Sequence, residues 1–118
     1  MIEGYVDTDG VPTIELEIAG QVWKATVDTG FNGDVELPQA LRTRLPQVRI
    51  GTSTSILAAG VVVEQDLYRV EMPFYGRIRS VSATFVPGDG LLIGTNLLRD
   101  YCLEIDFPAG KVVLEREE

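Results

Sequence analysis

The chain has 118 residues, of which 45% are apolar and 24% charged, and its formal net charge is −8. That length suits one domain, residues 1–118, with a core of its own, and the composition is that of an ordinary soluble globular protein. The acidic excess disfavours nucleic acid and anionic membranes as partners, because neither is attracted to it. Histidine is absent, which excludes Ser-His-Asp and Cys-His catalysis and the usual histidine zinc sites. The single cysteine, Cys102, excludes an internal disulfide. No apolar run approaches the ~20 residues that span a bilayer. The start, "MIEGYVDTDG", lacks a basic, apolar signal pattern. The cytoplasm is therefore the expected compartment.

Strand signals dominate the chain. "IEGYV" is followed by the turn "DTDG" at 7–10. Ile14, Leu16 and Ile18 then alternate with Glu15 and Glu17, the pattern of a half-buried strand. After the turn at Ala19-Gly20, Trp23, Ala25 and Val27 alternate with Val22 and Lys24, so residues 12–27 read as a hairpin feeding a loop at Asp28. Asn32-Gly33 marks a tight turn, and Val35-Glu36-Leu37 is strand-like. Pro38 opens a short predicted helix, "PQALRTRL", ending near Pro46.

"VRIGTSTSIL" and "VVVEQDLYRVEM" form two strand-like arms around the small residues Ala58-Ala59-Gly60. "RIRSVSATFV" is a further strand, "PGDG" a turn, "LLIG" a short buried strand and "TNLLRDY" a second short helix. "CLEIDF", "PAG" and "KVVLE" close the chain as a hairpin. There is no linker, repeat or low-complexity run. The expected fold is all-β, a barrel or sandwich with one or two short helices.

The candidate chemistry lies at Asp28-Thr29-Gly30. By composition alone such a triplet occurs in roughly one chain in forty of this length. Its bland reading is a β-turn, with Asp accepting backbone N–H groups. Context raises the signal. An apolar strand precedes Asp28, a second strand and a short helix follow, and "LLIGTNLL" comes about 60 residues later.

Strand, Asp-Thr-Gly, strand, and then "LLIGTNLL", in that order, resemble the retropepsin-like aspartic proteases, in particular their single-lobe bacterial relatives. The resemblance covers nearly the whole chain. It implies a closed acid-protease-like β-barrel lobe with a flap hairpin at about 49–71. It implies an aspartic endopeptidase with no cofactor and no metal, acting on peptide or protein substrate. Amide hydrolysis without metal or histidine needs a base for water and an acid for the leaving nitrogen, and two carboxylates sharing a proton supply both. Asp28-Thr29-Gly30 supplies one carboxylate, and a C₂ homodimer would bring two copies together. By resemblance, Asp28 is catalytic, Thr29 bonds across the dimer axis, and Gly30 permits the loop. Gly94 lets the strand of "LLIG" pass behind it. Ala58, Ala59 and Gly60 lie near the flap tip over substrate. Asp89, in "PGDG", reads as a hairpin loop lining the cleft, and Asp7 and Asp9 as turn residues.

Two departures bear on mechanism. Phe31 follows the triplet where relatives carry Ala, Ser or Thr, so it offers Asp28 no hydrogen bond, and activity is expected to favour mildly rather than strongly acidic pH. Phe31 either narrows the cleft or packs into the core. Asn32 and Thr95 stand where retroviral enzymes pair an Asp with an Arg, and both charges are absent together. The bland reading holds for the rest. Trp23, Tyr68, Phe74 and Tyr75 read as core, Cys102 as buried filler, and Arg42, Arg44 and Arg49 as a solvated face. "KVVLE" is available as a strand for interchain pairing. Two other functions stay open: a catalytically silent dimeric module of this fold that binds peptide or protein, and an unrelated β-barrel with a coincidental triplet.

Overall fold

Ten strands alternate with tight turns in the computed structural model, which describes residues 1–56 and 58–116. They are β1 (Ile2–Val6), β2 (Pro12–Ile18), β3 (Gln21–Val27), β4 (Val35–Pro38), β5 (Gln47–Ile56), β6 (Val62–Phe74), β7 (Arg77–Val86), β8 (Leu91–Ile93), β9 (Tyr101–Asp106) and β10 (Lys111–Arg116). All join one sheet, in the order β5-β6-β7-β4-β8-β3-β2-β1-β10-β9. The period-2 patterns set the register. Ile14, Leu16 and Ile18 of β2 and Trp23, Ala25 and Val27 of β3 all point inward and are buried, while Glu15, Glu17, Val22 and Lys24 are exposed. Val35, Leu37, Val70, Met72, Phe74, Leu91 and Ile93 complete the same core. Each such side chain stabilises the fold by about 1.5–3 kcal/mol relative to exposure.

The expected closed barrel is corrected. The sheet ends at β5 and β9, which do not pair with one another. β5 is the outer arm of a long hairpin with β6, and β9 closes the C-terminal hairpin with β10. The sheet instead folds over itself, β2 packing against β6 and β10, so the core is enclosed by side-chain packing rather than by edge-to-edge hydrogen bonds. The two predicted helices are single 3₁₀ turns, Gln39–Leu41 anchored by buried Leu41 and Leu97–Asp100 by buried Leu97 and Leu98. Such short segments gain too few internal bonds to propagate, and packing of the leucines fixes their extent.

The arms of the expected flap are β5 and β6, with a bulge between Arg49 and Gly51. A 3₁₀ turn at Ala58–Gly60 lies at their tip, with Ala59 and Gly60 both at positive φ, 68° and 74°. Leu57 lies outside the described residues. "DTDG" is a turn as read, Asp7 Oδ1 accepting from the N–H groups of Asp9 and Val11, both at 2.9 Å. Trp23, Tyr68 and Phe74 are buried, and Tyr75 packs against the core. Cys102 is not buried filler but exposed. It follows the buried Tyr101 on the edge strand β9, so the strand's alternation turns it outward. Glu117 and Glu118 lie outside the described residues. β10 pairs with β1 on one side and β9 on the other, so "KVVLE" is already satisfied within the chain.

The contrast between the two ends of the Tyr101 contact is measurable. Phe74 is 1% exposed and meets Tyr101 edge-on at 5.5 Å. Phe74→Ala should cost about 3–5 kcal/mol in urea unfolding. Cys102→Ser should stay within about 0.5 kcal/mol of wild type. A loss of several kcal/mol from Cys102→Ser would place that side chain inside.

Candidate active site

β3 delivers Asp28 to a loop that crosses over the end of β8. β8 pairs in parallel with β3 and antiparallel with β4, so it lies between two strands that are neighbours in sequence. The connecting loop, residues 28–34, must bridge it. Four backbone hydrogen bonds tie the loop to β8 and the turn beyond. Asp28 N–H donates to Ile93 O at 2.9 Å, Gly94 N–H to Asp34 O at 2.9 Å, Thr95 N–H to Phe31 O at 2.8 Å, and Asn96 N–H to Gly33 O at 3.2 Å. The Thr95 hydroxyl adds a bond to Phe31 O at 3.3 Å. Thr95 therefore holds the loop through a backbone carbonyl, at the place where a charge pair is absent.

The crossing is tight. A Cβ on Gly94 would lie 2.2 Å from Gly33 O and 2.8 Å from the Phe31 ring and carbonyl, so only glycine fits. Gly30 has a different role from the one expected. Its φ is not positive, and its N–H donates to Asp28 Oδ1 at 2.9 Å. A Cβ there would approach the same oxygen at 3.3 Å. Gly30 thus keeps the carboxylate uncrowded. Asp28 itself is half-buried, and Thr29 and Gly30 beside it are exposed.

Asp34 was not singled out from sequence. It is 8% exposed, and its Oδ2 accepts from Ser82 N–H at 2.8 Å and Ser82 Oγ at 3.1 Å. Its Oδ1 accepts from Asn96 Nδ2 at 2.6 Å. One side chain thereby ties β4 to β7 and to the turn after β8. Nothing in "NGDVEL" distinguishes this Asp from a turn residue, because its donors lie 48 and 62 residues away.

Glu36 was also missed as a site residue. Thr26 is in register with Leu92, Leu92 with Glu36, and Glu36 with Thr84. Residues in register share a face, so these four form one row with neighbours ~4.8 Å apart. Asp28 lies two residues beyond Thr26 and faces the same way. The Glu36 carboxyl is held above its ordinary value, first by partial burial and second by the negative charge of Asp28. A strand pattern with Val35 and Leu37 inward does put Glu36 outward; what it cannot show is that "outward" here is a cleft.

That cleft lies under the flap. Ser53, Ser55, Gln65 and Leu67, on the inner face of β5 and β6, meet Phe31, Glu36 and Thr84 around a cavity of about 100 Å³. Phe31 lines this cavity with its ring against Gly33 and Gly94, and it stands outside the core cluster. Ala59 and Gly60 are exposed at the flap tip and do not line the cavity, and the Ala58 side chain lies outside what the structure describes. Asp89 is exposed in the connection from β7 to β8, which is not a hairpin, because β4 sits between those strands. It does not line the cavity either. Among the described residues no three His, Cys, Asp or Glu side chains gather as a metal site. No helix among them is long and apolar enough to cross a membrane.

Asp28-Thr29-Gly30 thus stands on a loop between two strands, locked over an inserted third strand. Comparison with known structures narrows the class. The crystal structure of a retropepsin-like aspartic protease from Rickettsia conorii superposes with a TM-score of 0.68 at 20% identity, covering 98% of this chain and 89% of that one. The simian foamy virus (mac) protease in solution gives 0.55 at 26% identity over 74% of this chain and 91% of its own. The EIAV protease in complex with the inhibitor HBY-793 gives 0.58 at 21% identity, covering 80% and 90%. No protein-family model matches the chain, and no curated protein matches it by sequence. The chain has the retropepsin-like aspartic protease fold, as the order of its two motifs indicated.

Two tests follow from the packing. Asp34→Ala strips an acceptor from buried donors and should cost about 1–3 kcal/mol, and Gly94→Ala a similar 1–3 kcal/mol through overpacking. Both are read from urea midpoints, and a neutral Gly94→Ala would mean that the crossing is loose. Glu36 gives a signed pH effect. Because its folded form binds the proton more tightly than the unfolded chain does, stability falls as pH rises from the ordinary glutamate value through the raised one. Glu36→Gln should therefore raise Tm at pH 7, and the gain should shrink by about pH 4. A gain that grows on acidification would contradict this.

Proposed function

We propose that the protein is an aspartic endopeptidase that works as a homodimer, with one Asp28 from each copy at the two-fold axis. The observation that carries this reading is the setting of Asp28. Its loop is fixed from behind by β8, its carboxylate is half-exposed, and Thr29 and Gly30 next to it are open to solvent. The chain's own nearby acids do not complete a dyad. Asp34 is consumed by Ser82 and Asn96, and Glu36 stands two strands away from β3. A second copy of the same loop is the simplest source of the partner carboxylate. The fold shared with retropepsin-like proteases supports the same assignment.

The chemistry follows from two like charges held together. They share one proton, so one carboxylate is a base and the other an acid. The base takes a proton from a water as its oxygen attacks the amide carbon, while the acid gives its proton to the carbonyl oxygen, yielding a tetrahedral gem-diol. The newly protonated carboxyl then protonates the nitrogen, a gem-diol hydroxyl returns its proton to the other carboxylate, the C–N bond breaks, and the dyad is again singly protonated. Thr29 would brace the two loops across the axis. The β5–β6 hairpin would cover an extended substrate and pair with its main chain. Since β10 is paired on both sides, the second copy meets the face carrying loop 28–34 rather than β10.

Asp28→Asn should reduce hydrolysis of a mixed peptide library by about 10³-fold or more, and sedimentation should show a dimer. Equal cleavage by wild type and Asp28→Asn would leave a peptide-binding module. A strict monomer at high concentration would remove the symmetric dyad. With no donor from Phe31, the pH optimum should be mildly acidic rather than below about pH 3.

A further inference from the structure

Among the described residues the Glu36 side chain has no hydrogen-bond or ionic partner, and it lines the cavity under the flap. Among the described residues the one ion pair is Arg49–Asp66, on the outside of the flap, and no lysine or arginine lines the cavity around Glu36. The lining side chains of Ser53, Ser55, Gln65 and Thr84 are uncharged, and the one other acid on the lining, Asp34, is taken up by Ser82 and Asn96. Partial burial and Asp28 both disfavour the Glu36 charge, and no cation among the described residues offsets them. An ionised acid in that position gains most from a cation brought from outside. The cavity holds several waters or one extended side chain. Asp28 does not line it, but Glu36 lies in the row that runs from Thr26 through Leu92 on the sheet face of Asp28, so a peptide lying along that face past Asp28 would pass it.

We propose that Glu36 is a specificity residue that selects a lysine or arginine side chain close to the scissile bond. This rests on the peptidase reading of Asp28. The selected cation would lie between the flap's inner serines and the row Leu92–Glu36–Thr84, its charged end on the Glu36 carboxylate and its methylenes against Leu67 and Phe31. The hydroxyls of Ser53, Ser55 and Thr84 and the amide of Gln65 can accept its remaining hydrogens. The overall charge of −8 draws cationic peptides to the whole surface, but it cannot choose a position within the peptide. Glu36 does, because it is fixed relative to Asp28 by two strand pairings through β8.

The test is a set of otherwise neutral peptides in which one lysine is walked through the positions flanking the cleaved bond, with glutamine in its place as control. Wild type should favour lysine over glutamine at one position by roughly tenfold or more in kcat/KM, the worth of a charge-assisted hydrogen bond. Glu36→Gln should erase that ratio and Glu36→Asp should keep part of it. A wild-type ratio near one at every position, or a ratio that survives Glu36→Gln, overturns the proposal and leaves the peptidase reading intact. If wild type cleaves no peptide, the peptidase reading fails instead. Calorimetric binding of the same peptides to Asp28→Asn and to Asp28→Asn/Glu36→Gln then decides the pocket. A lysine preference present in the first and lost in the second supports it, and equal binding to both overturns it.

Discussion

The structure hangs on the insertion of β8 between β3 and β4. Two strands adjacent in sequence are held apart by a third, and the loop joining them has to pass over its end. Gly94 makes the pass close enough for hydrogen bonds, and Asp34, Phe31 and Gly33 supply their acceptors. Without that insertion, Asp28 would sit in an ordinary hairpin turn and could swing with it. With it, the Asp28 backbone is an extension of the sheet, and its carboxylate inherits the sheet's rigidity.

Three acids within nine residues are treated in three ways. Asp34 accepts three hydrogen bonds and serves as a clamp. Asp28 takes a bond from its own loop and otherwise faces the opening. Glu36 is half-buried under the flap, within reach of the Asp28 charge and with no lysine or arginine lining its cavity. The differences come from which donors the topology brings near each one, since the residue types are almost the same. An acidic chain can thus hold a hydrogen-bonded clamp, an acid open to solvent and an acid under the flap within one loop and its following strand.

Much of the fold was legible because the strands alternate so regularly. The hairpin at 12–27, the flap arms, the strand at 77–86 and the closing hairpin all follow from period-2 patterns and their turns. The linkage of Asp28-Thr29-Gly30 to "LLIGTNLL" was legible through their order. What could not be read were features set by distant partners. Asp34 looks like a turn residue until Ser82 and Asn96 arrive. Glu36 looks solvent-facing until the flap covers it. Cys102 reads as filler until β9 proves to be an edge. The barrel failed to close for a similar reason, since strand patterns define faces and leave open which edges meet.

The insertion also constrains how the chain can assemble. The bonds that fix the loop join residues 62 and 64 positions apart in sequence, so none forms until most of the molecule is in place. Closing such long segments costs entropy before any contact repays it, and topologies of this kind fold slowly. The hairpins β2–β3 and β5–β6 are local and can form early. Until β8 is seated between β3 and β4, loop 28–34 lacks the four backbone bonds that hold it, so the placement of Asp28 is a property of the completed sheet.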